Sequence, residues 1–350
     1  MPHPDIHLLS VGTALPGPLI DNAALVRSLG LPKVWEQWID TFVGTRSRHF
    51  ATDLRTKEVR YSLTDMGVTA ASRALEAAGV GADSVDLIVM GTATPDMLMP
   101  ATVNLVADRL GINNVPSYQL MSGCTGAIQA MDVACRMLES GRYTTALVIG
   151  GETCAKLMDL DQDISQQPPG VQVNAMLFGD GAGAVVLTTE PRPGTPVLRQ
   201  VSLELVGQGR EPGQVVEWFS ALGGAPGQKS VVEDFKAVEE AAPPMAAEAL
   251  QSILDDLGWK EDELDFVLPP QLSAVMTAKV LADINAPEAV PISRVTEIGN
   301  TGNALPFFQL ETLLPQMQEG DRAVGVSVEA SKWIKAAYAV EMVGADQDGR

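Results

Sequence analysis

The chain is poor in positive charge, in cysteine and in aromatic side chains. Its 350 residues include 24 Lys and Arg against 44 Asp and Glu, a formal net charge of -20, which argues against partners such as nucleic acid or an anionic membrane surface. The three cysteines lack paired spacing, so we expect a cytoplasmic protein without a disulfide framework. No apolar run approaches the ~20 residues of a membrane span, and the N-terminal residues lack the pattern of a signal peptide.

Several common functional motifs are also missing. The sequence contains no CxxC, HExxH, GxGxxG or Walker A pattern, so we expect no metal site and no nucleotide cofactor. Histidine is scarce as well, because His3, His7 and His49 are the three in the chain. All three precede Cys124, which follows an apolar run and is the most interesting candidate for chemistry.

Short strands rich in Val, Ile and Leu alternate with helical segments rich in Ala and Leu. Buried strands are predicted at 85–93, 145–152 and 182–189, since each is a short apolar run. Amphipathic helices are predicted at 63–79 and 124–141, where apolar residues recur on one face. This alternation predicts an α/β fold.

The pattern occurs twice in the chain. The offsets are 179 residues between Asp86 and Asp265, 177 between the strands 146–152 and 323–329, and 176 between Cys124 and Asn300. Cys124 and Asn300 both lie in a Gly-X-Thr-Gly sequence where a strand gives way to a helix. We therefore predict two duplicated halves, 1–195 and 196–350, with equivalent helix N-termini facing each other.

Two segments interrupt the repeat. An extra loop is predicted at about 155–178, near a site or a subunit contact, and a polar Gly-rich loop at 207–230. A helix is predicted over 231–257. Because Pro243 and Pro244 lie inside it, we expect that helix to be kinked or broken there.

Cys124 has two interpretations. At a helix N-terminus, free backbone N–H groups and the helix dipole stabilise a thiolate, and the same amides can hold the oxyanion that forms when a thiolate attacks a thioester. The alternative is a small buried residue, the usual role of a free cysteine. Cys135 and Cys154 fit that second role. Position alone leaves the two interpretations of Cys124 equally balanced.

The motifs around Cys124 resemble those of a known family. SGCTGAIQAMDVA, GRYTTALVIGGE, FGDGAGAVVL and the N-terminal WIDTFVGTRSRHF are similar to segments of the β-ketoacyl-acyl carrier protein synthase III family, of the thiolase superfamily. The resemblance implies a five-layered α/β/α/β/α thiolase fold and a homodimer. It also implies that Cys124 accepts an acyl group from a thioester bound to an acyl carrier protein or coenzyme A.

The first departure from the family concerns the second catalytic step. The resemblance implies that Asn300 matches an Asn that, with a His, stabilises the enolate formed by decarboxylation. Pro270 occupies the position of that His, and Ser273 replaces a second Asn. His49 matches a histidine that lies away from the chemistry in the family. Because Pro270 has no side-chain donor, decarboxylative condensation is disfavoured, whereas acyl transfer needs no enolate.

A second departure concerns the thioester donor. Family members that use coenzyme A carry an Arg four residues after the Trp that matches Trp38, and another after the His motif. Here these positions are Phe42 and Val275, so the recognition of phosphates is weakened. A carrier-protein donor becomes more plausible, unless other basic residues have taken over; the candidates are Arg46, Arg48 and Lys279.

The remaining departures concern the C-terminal turn and the acyl pocket. The family's Gly-rich turn reads VEASKW here, so the oxyanion hole would use the backbone amides of Cys124 and of Ala330 or Ser331. Glu329 is either a replacement for the missing base or a satisfied residue at a strand end. The resemblance further implies that Met99 crosses the dimer interface to the partner's acyl pocket.

We therefore expect an acyltransferase that passes an acyl or aroyl group through Cys124 to a small-molecule amine or hydroxyl acceptor, in secondary metabolism. Two alternatives stay open. One is a condensing enzyme in which another group replaces the missing His. The other is an impaired subunit that pairs with an active homologue.

Overall fold

The computed structural model describes residues 4–158, 160, 163–216 and 231–344. Ten of its strands form one large sheet and four form two small ribbons. The strands are β1 (His7–Ala14), β2 (Ile20–Asp21), β3 (Ser47–Arg48), β4 (Leu87–Thr92), β5 (Ser117–Met121), β6 (Thr145–Glu152), β7 (Gly181–Thr188), β8 (Pro196–Leu205), β9 (Gln214–Val216), β10 (Val231–Glu233), β11 (Phe266–Leu268), β12 (Val290–Pro291), β13 (Arg322–Glu329) and β14 (Ile334–Met342).

Helices cover the sheet and connect its strands. They are α1 (Asn22–Ser28), α2 (Val34–Phe42), α3 (Leu63–Ala78), α4 (Thr102–Leu110), α5 (Gly126–Glu139), α6 (Pro169–Leu177), α7 (Phe235–Leu257), α8 (Ala274–Asp283), α9 (Val295–Ile298) and α10 (Leu305–Leu313). Short 3₁₀ turns lie between them, including Gly302–Ala304 directly before α10. No helix within the described ranges is long and apolar enough to cross a membrane.

The strand order shows the duplication directly. The large sheet runs β12-β11-β13-β14-β8-β1-β7-β6-β4-β5. Counted outward from its centre, each half contributes its first, fifth, fourth, second and third strands in that order. The directions also match, because β4 pairs in parallel with β5 and β6 while β7 runs antiparallel to β6 and β1. In the second half, β11, β12, β13, β14 and β8 repeat this arrangement.

The apolar core is layered. One cluster combines α5 and α10 with strands of both halves. A second packs α3 and α4 on the first half, and a third packs α7 and α8 on the second. The two five-stranded halves of the large sheet are joined by the single β1–β8 pair His7–Val197, and α5 and α10 pack against strands of both. The halves therefore act as two sheet layers in the order helix, sheet, helix, sheet, helix, which confirms the predicted thiolase fold from two duplicated halves. The division at 195 and 196, between β7 and β8, stays a prediction.

Local boundaries differ from the predictions in three places. Cys124 and Thr125 form a turn, and α5 begins at Gly126 rather than at Cys124. The segment 155–178, predicted as a loop, contains α6. Residues 231–233 are a strand and not the start of a helix, and part of the predicted loop 207–230 lies outside the described residues.

Of the predicted kink or break at Pro243 and Pro244, the break does not occur, and the kink stays a prediction. The helix α7 runs continuously from Phe235 to Leu257, with both prolines inside it. A proline in a helix interior costs about 3 kcal/mol. The buried face of α7, which includes Met245 and Leu250, packs against the second half of the sheet, and this burial offsets the two lost hydrogen bonds.

A glycine-to-alanine substitution tests the packing between β7 and α10. A Cβ at Gly183 would lie 2.3 Å from the Cβ of Phe307, so we expect Gly183→Ala to lower the free energy of unfolding by about 1–3 kcal/mol. The matched control is Gly170→Ala in α6, where the nearest atom would lie at 3.6 Å. Urea denaturation compares the two variants. Equal loss of stability in both would contradict the close packing.

Candidate active site

The candidate nucleophile lies in the turn between β5 and α5. Cys124 is partly buried, and its carbonyl accepts a hydrogen bond of 2.8 Å from the hydroxyl of Ser327 on β13. The N–H of Gly126 donates to the carbonyl of Gly123 at 2.9 Å, which closes the turn. A strand of the second half therefore holds the nucleophile loop of the first half.

Asn303 makes a second connection between the halves. Its Oδ1 accepts the N–H of Ala127 at 2.7 Å, and its Nδ2 donates to the carbonyl of Ser122 at 3.0 Å and to Glu152 at 2.5 Å. A Cβ at Gly126 would lie 2.7 Å from the Oδ1 of Asn303. A glycine is thus required at position 126 so that the asparagine can approach the first turn of α5.

Glu329 accepts hydrogen bonds from further donors next to the start of α5. Its Oε2 accepts hydrogen bonds from the hydroxyl of Ser122 at 2.7 Å and from the hydroxyl and N–H of Thr125 at 2.5 and 3.3 Å. The hydroxyl of Ser331 donates to its Oε1. Both carboxylate oxygens are bonded, which favours a satisfied residue at the end of β13 over a free base.

These contacts reverse the expected electrostatics of the nucleophile. Burial, and after it the carboxylates of Glu329, Glu152 and Glu233, together raise the pKa of Cys124 to about 12. The helix dipole and free N–H groups were expected to stabilise a thiolate. The N–H groups of Thr125 and Ala127 are instead bonded to side chains from the second half. In this arrangement Cys124 is a neutral thiol.

A small pocket opens beside Cys124. Its lining combines residues of both halves: Cys124, Pro270, Gln271, Leu272, Asn300, Gly302, Leu305, Pro306, Gln309, Val326, Ser327 and Val328. Asn300 is only 2% exposed. Its Oδ1 accepts the N–H of Gly302 at 2.9 Å, whereas no described residue is a hydrogen-bond partner of its Nδ2. The structure thus places Cys124, Asn300 and Pro270 at one pocket.

The other polar candidates lie elsewhere. Ser273 caps α8, where its hydroxyl accepts the N–H of Met276 at 3.0 Å, and it does not line the pocket. His7 contacts Thr195, and His49 contacts the carbonyls of Pro16 and Gly17. His3 lies outside the described residues. Within the part of the chain that the structure describes, no histidine lines the pocket.

The candidate residues for donor binding lie on α2 and nearby. The rings of Trp38 and Phe42 are 5.5 Å apart, and Phe42 is 62% exposed. The N–H of Val275 donates to the carbonyl of Val43 at 3.4 Å. The two positions that carry Arg in the resemblance, 42 and 275, therefore lie on adjoining segments and present apolar side chains there.

Asn303, Glu152 and Gln271 are site residues that the sequence analysis did not identify. Asn303 is in the quoted motif IGNTGNAL, one residue after its second glycine, and that position was the available signal. Glu152 is buried, with its pKa raised by burial to about 7 although Thr94, Ala93 and Asn303 donate hydrogen bonds to it. Its predicted place at the end of a strand gave no indication of these contacts.

Sequence comparisons identify relatives with a named activity. The family model for 3-oxoacyl-[acyl-carrier-protein (ACP)] synthase III matches residues 118–203. The β-ketoacyl-[acyl-carrier-protein] synthase III 3 of Streptomyces coelicolor is 29% identical over 302 residues, covering 85% of each chain. The corresponding enzyme of Neisseria meningitidis is 28% identical over 308 residues, covering 86% of this chain and 88% of the relative.

Solved structures of similar enzymes superpose closely on this chain. AbyA1, a tetronic acid condensing enzyme, superposes with a TM-score of 0.92 at 50% identity, covering 96% of this chain and 99% of that chain. The 3-oxoacyl-(acyl carrier protein) synthase III of Pseudomonas aeruginosa gives 0.81 at 26% identity, covering 97% and 98%. The fold and the cysteine pocket define a thiolase-superfamily enzyme. The chain belongs to the β-ketoacyl-acyl carrier protein synthase III-like family.

The reactivity of the thiol tests the role of Glu329. Because the pKa of Cys124 is raised to about 12, its alkylation by iodoacetamide should accelerate with pH from 7 to 10 without a plateau. Glu329→Gln removes a negative charge next to the thiol and lowers its pKa. The alkylation rate at pH 8 should therefore rise about threefold or more.

Glu341→Gln serves as the control, since Glu341 pairs with Arg199 and Arg322 far from the pocket residues. Alkylation is followed at Cys124 by peptide mass. A plateau below pH 8 in the unmodified protein, or an unchanged rate in Glu329→Gln, would contradict the electrostatic account.

Proposed function

We propose that the protein is an acyl-transferring enzyme that loads an acyl group on Cys124 and passes it to a hydroxyl acceptor. In the first step the sulfur of Cys124 attacks an acyl thioester. The acyl group moves to Cys124, and the donor leaves as a free thiol that takes the proton of Cys124. In the second step an acceptor oxygen bonds to the acyl carbon, the bond to sulfur breaks, and the hydroxyl proton returns to Cys124. No cofactor is needed for either step.

The observation that carries this proposal is the composition of the pocket. Cys124 and Asn300 share it, and Pro270 lies where the resemblance implies a histidine. The backbone amide of Cys124, with that of Ala330 or Ser331, would stabilise the oxyanion in both steps. Cys124 is a strong base when it leaves as a thiolate, because its pKa is raised. The departing thiolate of Cys124 can therefore take up the proton of the acceptor hydroxyl without the help of a histidine.

Glu329 enters this proposal as a positioning residue. Its carboxylate is bonded to Ser122, Thr125 and Ser331, so it fixes the first turn of α5 and the turn that contains the proposed amides. The alkylation test above separates its electrostatic effect from a role as a base.

The similarity to a tetronic acid condensing enzyme favours a hydroxyl over an amine acceptor. A tetronic acid is a five-membered cyclic ester, so its assembly includes the acylation of a hydroxyl oxygen. At 50% identity over nearly the whole chain, this chemistry is a reasonable model for the present protein. The same similarity supports a role in secondary metabolism as part of this proposal.

Formation of a carbon–carbon bond is the second candidate function. The relatives are named as condensing enzymes and synthases, and Asn300 is retained at the pocket. In that reaction a carbanion of the acceptor, rather than its oxygen, attacks acyl-Cys124. Decarboxylation of a malonyl thioester would be the common source of the carbanion, and Pro270 contributes no donor to it.

The proposed donor is an acyl carrier protein. Phe42 and Val275 present apolar side chains where cationic side chains would hold phosphates, and Phe42 is largely exposed. The names of several relatives include the acyl carrier protein. Coenzyme A remains the alternative donor, and matched acyl thioesters of the two carriers distinguish them by the rate of acylation.

Acylation of Cys124 is the primary test. Incubation with an octanoyl thioester of N-acetylcysteamine should raise the intact mass by one octanoyl group, and Cys124→Ala should abolish this increase because the sulfur is the acyl acceptor. Cys135→Ala should be labelled normally, since Cys135 is buried in the core. Labelling at Cys135 or Cys154 instead would refute the proposal.

The acylated enzyme then separates the two candidate functions. Mixing with a hydroxyacetyl thioester should release the octanoyl group as an ester, while a malonyl thioester should give little CO2. Prompt release of CO2 with formation of a β-keto product would replace the transferase proposal with the condensing one.

We further propose a homodimer in which Met99 reaches the partner's acyl pocket. Met99 is 86% exposed and lies in a loop with the exposed side chains of Met97 and Leu98. The edge strand β5 ends the large sheet and also exposes apolar side chains, Tyr118 and Met121. Exposed apolar side chains of this kind are what a second copy of the chain would cover.

This interface is tested by Met99→Ala and Met99→Trp. Because the side chain would form a wall of the partner's acyl pocket, Met99→Ala should favour longer acyl thioesters and Met99→Trp shorter ones, by about tenfold in relative acylation rate. Leu19→Ala, an exposed apolar residue in another part of the chain, is the control. Sedimentation as a monomer, or unchanged chain-length preference, would refute the arrangement.

A further inference from the structure

Gln271 is a buried polar side chain in the pocket for which the mechanism so far has no use. It follows Pro270 in the chain, is 5% exposed, and lines the pocket together with Cys124 and Asn300. Its position therefore places an amide group next to the proposed reaction site.

The hydrogen bonds of Gln271 fix the orientation of its amide. Its Oε1 accepts the N–H groups of Arg294 and Val295, both at 2.7 Å, and the hydroxyl of Ser293 at 3.4 Å. A backbone N–H requires an acceptor, so the oxygen and the nitrogen of the amide are assigned without ambiguity. The Nε2 is buried and has no hydrogen-bond partner among the described residues.

A neighbouring glutamine provides a contrast. Gln309 lines the same pocket, but its Nε2 donates to the carbonyls of Pro269 and Ile292 at 3.0 and 2.9 Å. A buried donor without an acceptor destabilises the folded state, and such a group in a native structure needs an explanation. An oxygen of a bound substrate is the explanation that the position of Gln271 in the pocket supports.

We infer that Gln271 and Asn300 together hold the carbonyl oxygen of the second substrate, so that Gln271 supplies the hydrogen-bond donor that Pro270 lacks. This inference rests on the proposed function, because the second substrate is the one that attacks acyl-Cys124. The Nε2 of Gln271 and the Nδ2 of Asn300 donate hydrogen bonds and transfer no proton. The acceptor carries a carbonyl group, and its oxygen is stabilised as negative charge develops on it.

The role applies to either proposed acceptor. With a hydroxyl acceptor, the two amides orient a carbonyl in the same molecule, while the hydroxyl oxygen attacks the acyl carbon and sulfur leaves. With a carbanion acceptor, the electron pair released by loss of CO2 is held on the same oxygen before the new carbon–carbon bond forms.

Gln271→Glu is the sharpest test. The carboxylate keeps an oxygen for the N–H groups of Arg294 and Val295 but removes the donor. Octanoyl-Cys124 enzyme is prepared and then mixed with a hydroxyacetyl or a malonyl thioester of N-acetylcysteamine, and loss of the acyl group is followed by intact mass. We expect acylation to change less than about threefold and the second step to slow about 10²–10³-fold.

The pH dependence distinguishes a donor from a structural residue. A protonated carboxyl group regains an O–H donor, so the ratio of the wild-type rate to the Gln271→Glu rate should shrink as the pH falls from 8 to 5.5. Gln316→Glu makes the same change in an exposed side chain and should leave both steps unchanged. Asn300→Asp should slow the same step as Gln271→Glu.

The possible failures are separable. If the wild-type enzyme is acylated at Cys124 and Gln271→Glu has a normal second step, the role of Gln271 is refuted and the proposed function stands. Equal loss of acylation and of the second step would indicate a structural role and would also refute it. Absence of turnover by the wild-type enzyme with both acceptors would count against it, and absence of acylation at Cys124 would overturn it together with the proposed function.

Discussion

The start of α5 depends on side chains from the opposite half of the molecule. Asn303 accepts the N–H of Ala127, and Glu329 accepts the N–H and hydroxyl of Thr125. The first turn of a helix leaves backbone N–H groups without intrahelical partners, and here the second half provides those partners. The position of the nucleophile is consequently fixed by the packing of the two halves, not by its own loop.

The same contacts determine the chemistry that is available. A carboxylate and an amide accept the N–H groups of Thr125 and Ala127 at the helix N-terminus. Burial and the nearby carboxylates together raise the pKa of Cys124 to about 12. A thiol with such a pKa is a weak nucleophile at neutral pH but holds a proton firmly once it leaves as a thiolate. The high pKa of Cys124 suits a reaction in which the acyl group first moves from the donor thioester to Cys124. It then suits transfer to an acceptor that must lose a proton.

Several features of the fold could be predicted from local patterns. The apolar run at 145–152 is β6, with the predicted bounds, because a strand buried on both faces requires a continuous apolar sequence. The near-constant offsets predicted the duplication, since two halves of one fold place equivalent residues at equal intervals. The two prolines in α7 do not break it, because the tertiary packing of its buried face overcomes the local preference against proline.

The sequence by itself determined the thiolase fold, the position of Cys124 before a helix and the absence of a histidine at position 270. Only the tertiary structure decided that Asn303 and Glu329 meet the start of α5 and that Gln271 is left with an unpaired donor in the pocket. Spacing along the chain determines which backbone elements form. The partners of Asn303 and Glu329 at the start of α5 are 176 and 204 positions away in the chain, and they meet only when the two halves pack. The pocket in which Gln271 has no acceptor is likewise lined by residues of both halves.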